Sequence, residues 1–185
     1  MARLSCAALL VVAMVAVAQV GAEEVRLSKE RAVLQTDHGD LHIAFYDDVA
    51  PVTAPHIRKL MEMGCYNTNL FFRVDKGFVA QVDAVTRGRL AKLDQWQRVE
   101  AEKKVPLEVV KEVKHNKRGI LSMGRYSDPN TGTSSFSILL GPAPHLDMQY
   151  TIFGEVTKGL ETLTKMEGVE THREGIFVMP KERIT

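Results

Sequence analysis

The sequence predicts a mainly β domain, a closed barrel or a sandwich, with two short helices in its core. Three observations carry that prediction. Most of the chain is a succession of short segments of β character separated by turn residues. Two further segments have the caps and the period of short amphipathic helices, and no internal repeat or low-complexity stretch breaks the series. The 185 residues allow one domain with a real core once an N-terminal leader is set aside.

That leader is MARLSCAALLVVAMVAVAQVGA. Arg3 supplies the positive start, Ala7 to Val20 an apolar run too short for a comfortable membrane span, and Gly21-Ala22 a small-residue exit before Glu23 and Glu24. Residues 1–22 are therefore expected to be a cleaved secretory signal, an uncleaved signal anchor being the alternative, and residues 23–185 to form the domain. No later apolar run is long enough to span a bilayer, so no membrane association is expected after cleavage. The chain has 24 Lys+Arg against 23 Asp+Glu, a balance that argues against nucleic acid or an anionic membrane surface as an obligate partner. Of the two cysteines, Cys6 leaves with the signal. Cys65 then has no intrachain partner, so it is expected either buried and inert or open to intermolecular pairing, with burial favoured.

The elements follow in order. RAVLQTDHGDLHIAFYDD alternates on both sides of Asp37-His38-Gly39-Asp40 and reads as a β-hairpin. PVTAPHIRKLMEMGCY offers Thr53 as N-cap, Pro55 in the first turn, Ile57, Leu60 and Met61 at helical spacing, and Gly64 as the stop, a helix of about ten residues. LFFRVDKGFVAQV supplies two strands, Leu70 to Val74 and Phe78 to Val82, turning at Asp75-Lys76-Gly77. From Thr86 to Lys117 the chain is charge-rich. Leu90, Leu93, Trp96 and Val99 recur about every three residues, and Asp94 and Arg98 stand at helix-supporting spacing. This predicts a solvated helical insertion before Pro106, while LEVVKEV after it fits helix or strand. GILSMGRY, SSFSILLG and YTIFGEV return to β character, KGLETLTKMEG reads as the second core helix, and EGIFVMPKERIT as the last β stretch.

Several chemistries are excluded on spacing. GILSMG places its Ser in Gly-x-x-Ser-x-Gly, which is not a nucleophile elbow and lies in the wrong strand context. The six histidines have no i, i+4 pairing and no Cys partner, so no metal is expected. SDPNTGTSS lacks the Gly-Lys-Ser/Thr end of a phosphate loop and precedes a strand. What remains is Arg73, Phe78 and Gln81 on neighbouring strands, without nucleophile, general base or metal. A site made of these would act by binding and hydrogen bonding.

Taken in order, FFRVDKGFVAQ, GILSMG, DPNTGTSSFSI and HLDMQYTIFGEVTKG resemble the cyclophilin family of peptidyl-prolyl cis-trans isomerases, whose corresponding segments look like FHRxxxGFMxQGGD, GxLSMA, PNTNGSQFFI and WLDxxHxxFGxVxxG. The resemblance runs from about Ala32 to Gly168. It implies a closed antiparallel eight-stranded β-barrel capped by two helices, and prolyl isomerisation of polypeptides without a cofactor. It also implies that Arg73 is the catalytic residue, interacting with the prolyl amide nitrogen as the bond twists, and that Gln81 holds the substrate backbone. Phe78 would wall the proline pocket, with Val79, Met123, Ser135, Ser137, Leu146 and Tyr150 at the other substrate positions. The expected partners are proline-containing polypeptides met in the secretory pathway, in the endoplasmic reticulum lumen or outside the cell, by a monomer.

The chain departs from the pattern at several of these positions. Val79 replaces Met, Val82-Asp83-Ala84 replaces Gly-Gly-Asp, Ser135 and Ser137 replace Gln and Phe, His145 replaces a Trp common in the family, and Tyr150 a His. A thinner pocket is expected to weaken activity, the rival reading being a proline-peptide-binding module with little catalysis. The resemblance also implies a last strand that pairs with the first, whereas the chain stops at Ile184-Thr185; a complete sequence would leave the first strand open, the alternative being a truncated last strand.

Overall fold

The computed structural model describes residues 25–185, and the expected signal at 1–22 lies outside them. The first hairpin forms where the alternation places it: β1 (Arg31–Thr36) pairs antiparallel with β2 (Gly39–Phe45), Thr36 opposite Gly39. β3 (Phe71–Asp75) and β4 (Val79–Val82) form the second hairpin. β5 (Ile120–Met123), β6 (Phe136–Leu139) and β7 (Ile152–Lys158) complete an antiparallel sheet in the order β1-β2-β7-β5-β6-β4-β3. The two expected helices are α1 (Thr53–Glu62) and α4 (Leu160–Glu167). Between them come α2 (Val85–Gly88) and α3 (Gln95–Ala101).

The core explains why these segments hold together. Ile57 and Leu60 of α1, Leu163 and Met166 of α4, and Leu41, Ile43, Phe45, Phe136 and Phe153 of the sheet belong to one buried cluster. Phe136 meets Phe153 and Tyr66 edge-on, each at a centroid distance of 5.6 Å, an arrangement aromatic rings favour. Cys65 is a free, buried cysteine within this cluster, and burial pushes its thiol up from the ordinary range, against the pull of Arg89. It is the inert residue expected from the sequence rather than a reactive thiolate.

Strand pairing does not close an eight-stranded barrel. Seven strands share one sheet with β1 and β3 as its edges, and the expected last β stretch, Glu174 to Thr185, does not add an eighth strand to it. Its Phe177–Pro180 part is β9, which pairs with β8 (Thr171–Glu174), a strand the sequence did not predict, in a separate two-stranded sheet turning at Gly175-Ile176. Gly175, at a φ of +58°, makes the turn between the two strands. The sheet is nevertheless curled: Phe71 N donates to Ile184 O on the β3 side, and Asp37 N donates to Thr185 O on the β1 side. Two consecutive residues thus touch both edges.

The insertion is also corrected. The helix begins only at Gln95, because Asp94 caps it in a reciprocal capping box with Gln97, which leaves Leu90 and Leu93 outside it. The expected apolar stripe is not its packed face. Leu90, Trp96 and Val99 are exposed, whereas Glu100 and Ala101 are buried, with Glu100 paired to Lys59 and Lys103 at 2.8 Å each. Beyond it the chain is neither helix nor strand but a strap against the body. Val105 bridges Gly132, and Leu107 N donates to Asn130 Oδ1. The Glu108 carboxylate accepts from the backbone N–H groups of Val52 and Thr53, both at 2.8 Å.

This last contact replaces an expected one. Thr53 is the first helical residue rather than the N-cap, and its buried Oγ1 has no hydrogen-bond partner. The start of α1 is capped by a carboxylate from more than fifty residues away in the chain. Glu108→Ala is therefore expected to cost about 1 kcal/mol, read as a lower urea midpoint at an unchanged slope. An unchanged midpoint would mean that water serves those amides equally well.

Candidate active site

The functional side chains are carried by β3 and β4, whose connecting turn is fixed from outside the sheet. Gly77, at a φ of +73°, donates its N–H to the Glu167 carboxylate of α4 at 2.7 Å, and Arg118 donates to the same carboxylate at 2.6 Å. Burial alone would raise the Glu167 pKa, but these two hydrogen bonds outweigh it and hold the group below the usual carboxylate range. Strand register then sets Arg73 opposite Gln81, Gln81 opposite Ser137, and Ser137 opposite Ser122.

These residues line an open groove of about 990 Å³. Every site residue expected from the sequence is among them: Arg73, Phe78, Val79, Gln81, Met123, Ser135, Ser137, Leu146 and Tyr150. Arg73 lies with its guanidinium carbon 5.2 Å from the centroid of the Phe78 ring, and its Nη2 donates to Asp75 Oδ2 at 2.9 Å. Its Nε is buried and has no protein hydrogen-bond partner. On its other side Phe78 packs against His145 at a centroid distance of 5.3 Å, so an imidazole stands where the family pattern has an indole. Val79 and Met123 are buried, whereas Leu146 and Tyr150 are half-buried, with Arg125 lying 4.3 Å over the Tyr150 ring.

Ser135 does more than leave space. Its hydroxyl donates to Val82 O at 2.7 Å and accepts from Gln81 Nε2 at 3.3 Å. The small residue therefore tethers the Gln81 amide. Nearby, a Cβ added at Gly124 would come within 2.8 Å of Ser135 O, so the β5 end packs too closely against Ser135 for any side chain.

A histidine that sequence reading left unassigned holds Ser122, which lines the groove. His115, fully buried, donates from Nδ1 to Asp147 Oδ1 at 3.0 Å and accepts at Nε2 from Ser122 Oγ at 2.9 Å. Burial lowers its pKa despite the Asp147 contact, which keeps the ring neutral and fixes this direction of donation. Ser122 thus spends its proton on the ring, and its position mid-strand gives it no strained turn from which to attack. The array positions; it is not a hydrolase triad.

His56, too, is lowered by burial, while hydrogen bonds hold Asp37 and Glu100 below the carboxylate range, from Thr185 in the first case and from Lys103 and Lys59 in the second. The sign follows. Below the ordinary histidine value of about 6.5 the unfolded chain binds protons that folded His56 and His115 refuse, so stability falls as pH drops through that value. The carboxylates' contribution, present above the ordinary value of about 4, is lost below it. Urea midpoints are expected to decline from pH 7 to 5 and again below 4. A flat profile between 7 and 5 would contradict the buried, neutral histidines.

Sequence reading missed the part of the groove supplied by Phe72, Asp83, Arg87, Ser122, Arg125 and Tyr126, and by the β8–β9 hairpin. The one available signal for the hairpin was the Gly175 turn. Among the described residues, no cluster of His, Cys, Asp or Glu fits a metal ion, and no helix is long and apolar enough to cross a membrane.

The curled β-sheet and its two core helices set Arg73 over the Phe78 ring in an open groove, a site suited to binding and hydrogen bonding. Comparison with known proteins agrees. Residues 31–185 match the family described as cyclophilin type peptidyl-prolyl cis-trans isomerase. The chain is 60% identical over 173 residues to peptidyl-prolyl cis-trans isomerase CYP23 of Arabidopsis thaliana, covering 94% of this chain and 76% of that one. It is 39% identical over 134 residues to the human peptidyl-prolyl cis-trans isomerase-like 3, covering 72% and 80% respectively. Among solved structures, a Cryptosporidium parvum cyclophilin type isomerase crystallised in the presence of the dipeptide Ala-Pro superposes with a TM-score of 0.70 at 28% identity, over 84% of this chain and 94% of that one. The chain belongs to the cyclophilins and is a peptidyl-prolyl cis-trans isomerase.

Proposed function

We propose that this isomerase turns over exposed Xaa-Pro bonds of polypeptides in the secretory pathway, as a monomer, with Arg73 as its catalytic residue and with activity reduced by its shallow proline pocket. An Xaa-Pro bond rotates over a barrier of about 18–20 kcal/mol because amide resonance holds it planar. A site accelerates the rotation by binding the twisted amide better than either planar form, each tenfold requiring about 1.4 kcal/mol. The observation that carries the reading is Arg73 itself, which lines the groove with its guanidinium fixed between Asp75 and the Phe78 ring. As the amide twists, its nitrogen regains a lone pair. A guanidinium suits that atom because it is a planar, permanently charged donor that takes no proton. Phe78, Val79, Met123 and Leu146 would receive the proline ring, Gln81, held by Ser135, the substrate backbone, and Tyr150 the pocket rim.

Reduced activity follows from Ser137, which offers a hydroxyl where an aromatic would wall the pocket. One ring fewer removes on the order of 2 kcal/mol of apolar burial. For the compartment, support comes from the charge, apolar run and small-residue exit of residues 1–22. The full chain expressed in a eukaryotic host is expected to yield a mature N-terminus at Glu23 in the medium or the endoplasmic reticulum. Protein retained in the cytosol with its leader intact would overturn the placement.

A further inference from the structure

We infer that the β8–β9 hairpin is the specificity wall of this groove, selecting polypeptides that carry a large apolar residue beside the proline; this rests on the prolyl-isomerase reading of the same site. Ile176 and Phe177, at the hairpin's turn, line the groove together with Met179, Phe72, Arg73 and Phe78. Phe177 meets Phe72, the residue before Arg73, edge-on at 5.5 Å, so the hairpin's aromatic side is anchored to the catalytic strand. Ile176 is 79% exposed.

Neither folding nor the turn accounts for that isoleucine. It contributes nothing to the core at that exposure. The loop's positive φ falls on Gly175, and two-residue loops favour Gly, Asn or Asp rather than a β-branched residue. The groove it borders, about 990 Å³, is at the upper end of what small-ligand sites enclose, whereas an extended dipeptide spans only about 7 Å. There is room for more than the proline and one neighbour. A side chain flanking the proline and large enough to reach Ile176 would cover it together with the face of Phe177 that Phe72 leaves open.

The test compares Leu with Gly beside proline, on each side in turn, in otherwise identical short peptides, using the chain from Glu23 onwards and its Ile176→Ser variant. Isomerisation rates are read by NMR exchange and affinities in parallel, with thermal unfolding to verify that the variant is folded. The wild type is expected to favour Leu over Gly about tenfold in kcat/KM on one side of the proline, and Ile176→Ser to reduce that ratio about fivefold. Equal ratios in the two proteins, or no preference in the wild type on either side, overturn the hairpin's role while leaving the isomerase reading intact. Should no peptide be accelerated, the isomerase reading fails separately. The affinity ratio then decides the hairpin: a ratio reduced in Ile176→Ser supports it, and an unchanged one overturns it.

Discussion

Arg73→Ala is expected to lower kcat/KM on an Xaa-Pro peptide by about 10- to 150-fold, mostly through kcat. The range corresponds to the loss of one charge-assisted hydrogen bond, about 1.5–3 kcal/mol, made to the twisted amide and not to the planar one. Asp75 and Phe78 hold the guanidinium in place, so little of its ordering is left to be done when substrate binds. Arg73→Lys is expected to recover only a fraction of the loss, since an ammonium keeps the charge but neither the plane that rests on Phe78 nor the fixed fork of donors. Variants within twofold of the wild type would remove Arg73 from the mechanism.

Refilling the pocket is expected to act the other way. Ser137 stands on β6 between Gln81 on β4 and Ser122 on β5, facing the groove. A phenylalanine there adds an apolar wall for the proline ring. Ser137→Phe is expected to tighten peptide binding by up to about 30-fold, equivalent to about 2 kcal/mol of buried ring surface. Much of that gain is common to planar and twisted substrate, so KM should fall further than kcat rises. Unchanged or weaker peptide binding by a folded variant would show that pocket depth does not limit this enzyme.

Three of the groove's residues were legible in local order, and the others only through the resemblance of the motifs to the family pattern. Arg73, Phe78 and Gln81 lie on one hairpin whose turn is marked by Gly77, and register alone places Gln81 across from both Arg73 and Ser137. The strands of the sheet were legible for the same reason: alternation is a property of a few adjacent residues. What escaped was tertiary. Nothing local to Glu108 says that it caps a helix beginning at Thr53, and nothing local to His115 says that it will sit between Asp147 and Ser122. The apolar stripe of the insertion misled because periodicity reports a helical face without reporting what covers it. Trp96 is 78% exposed, and the buried side of α3 is held instead by the ion pairs of Glu100. In the hairpin of β8 and β9 the first strand was hidden by its composition, since Thr171–Glu174 is polar and lacks the apolar residues that marked Phe177–Pro180 as β.

The ion pair between Arg73 and Asp75 sharpens the question of catalysis. A guanidinium held by a neighbouring carboxylate is positioned, yet a thinned pocket could hold peptides without accelerating them. Line-shape or exchange NMR on an Xaa-Pro peptide with substoichiometric chain from Glu23 onwards separates the two outcomes, because it reads binding and isomerisation in one sample. The account predicts cis-trans exchange faster than in peptide alone, with shifts at Phe78, Gln81, Leu146 and Tyr150 and with the acceleration largely lost in Arg73→Ala. Peptide that shifts those same residues while isomerising at its uncatalysed rate would contradict it.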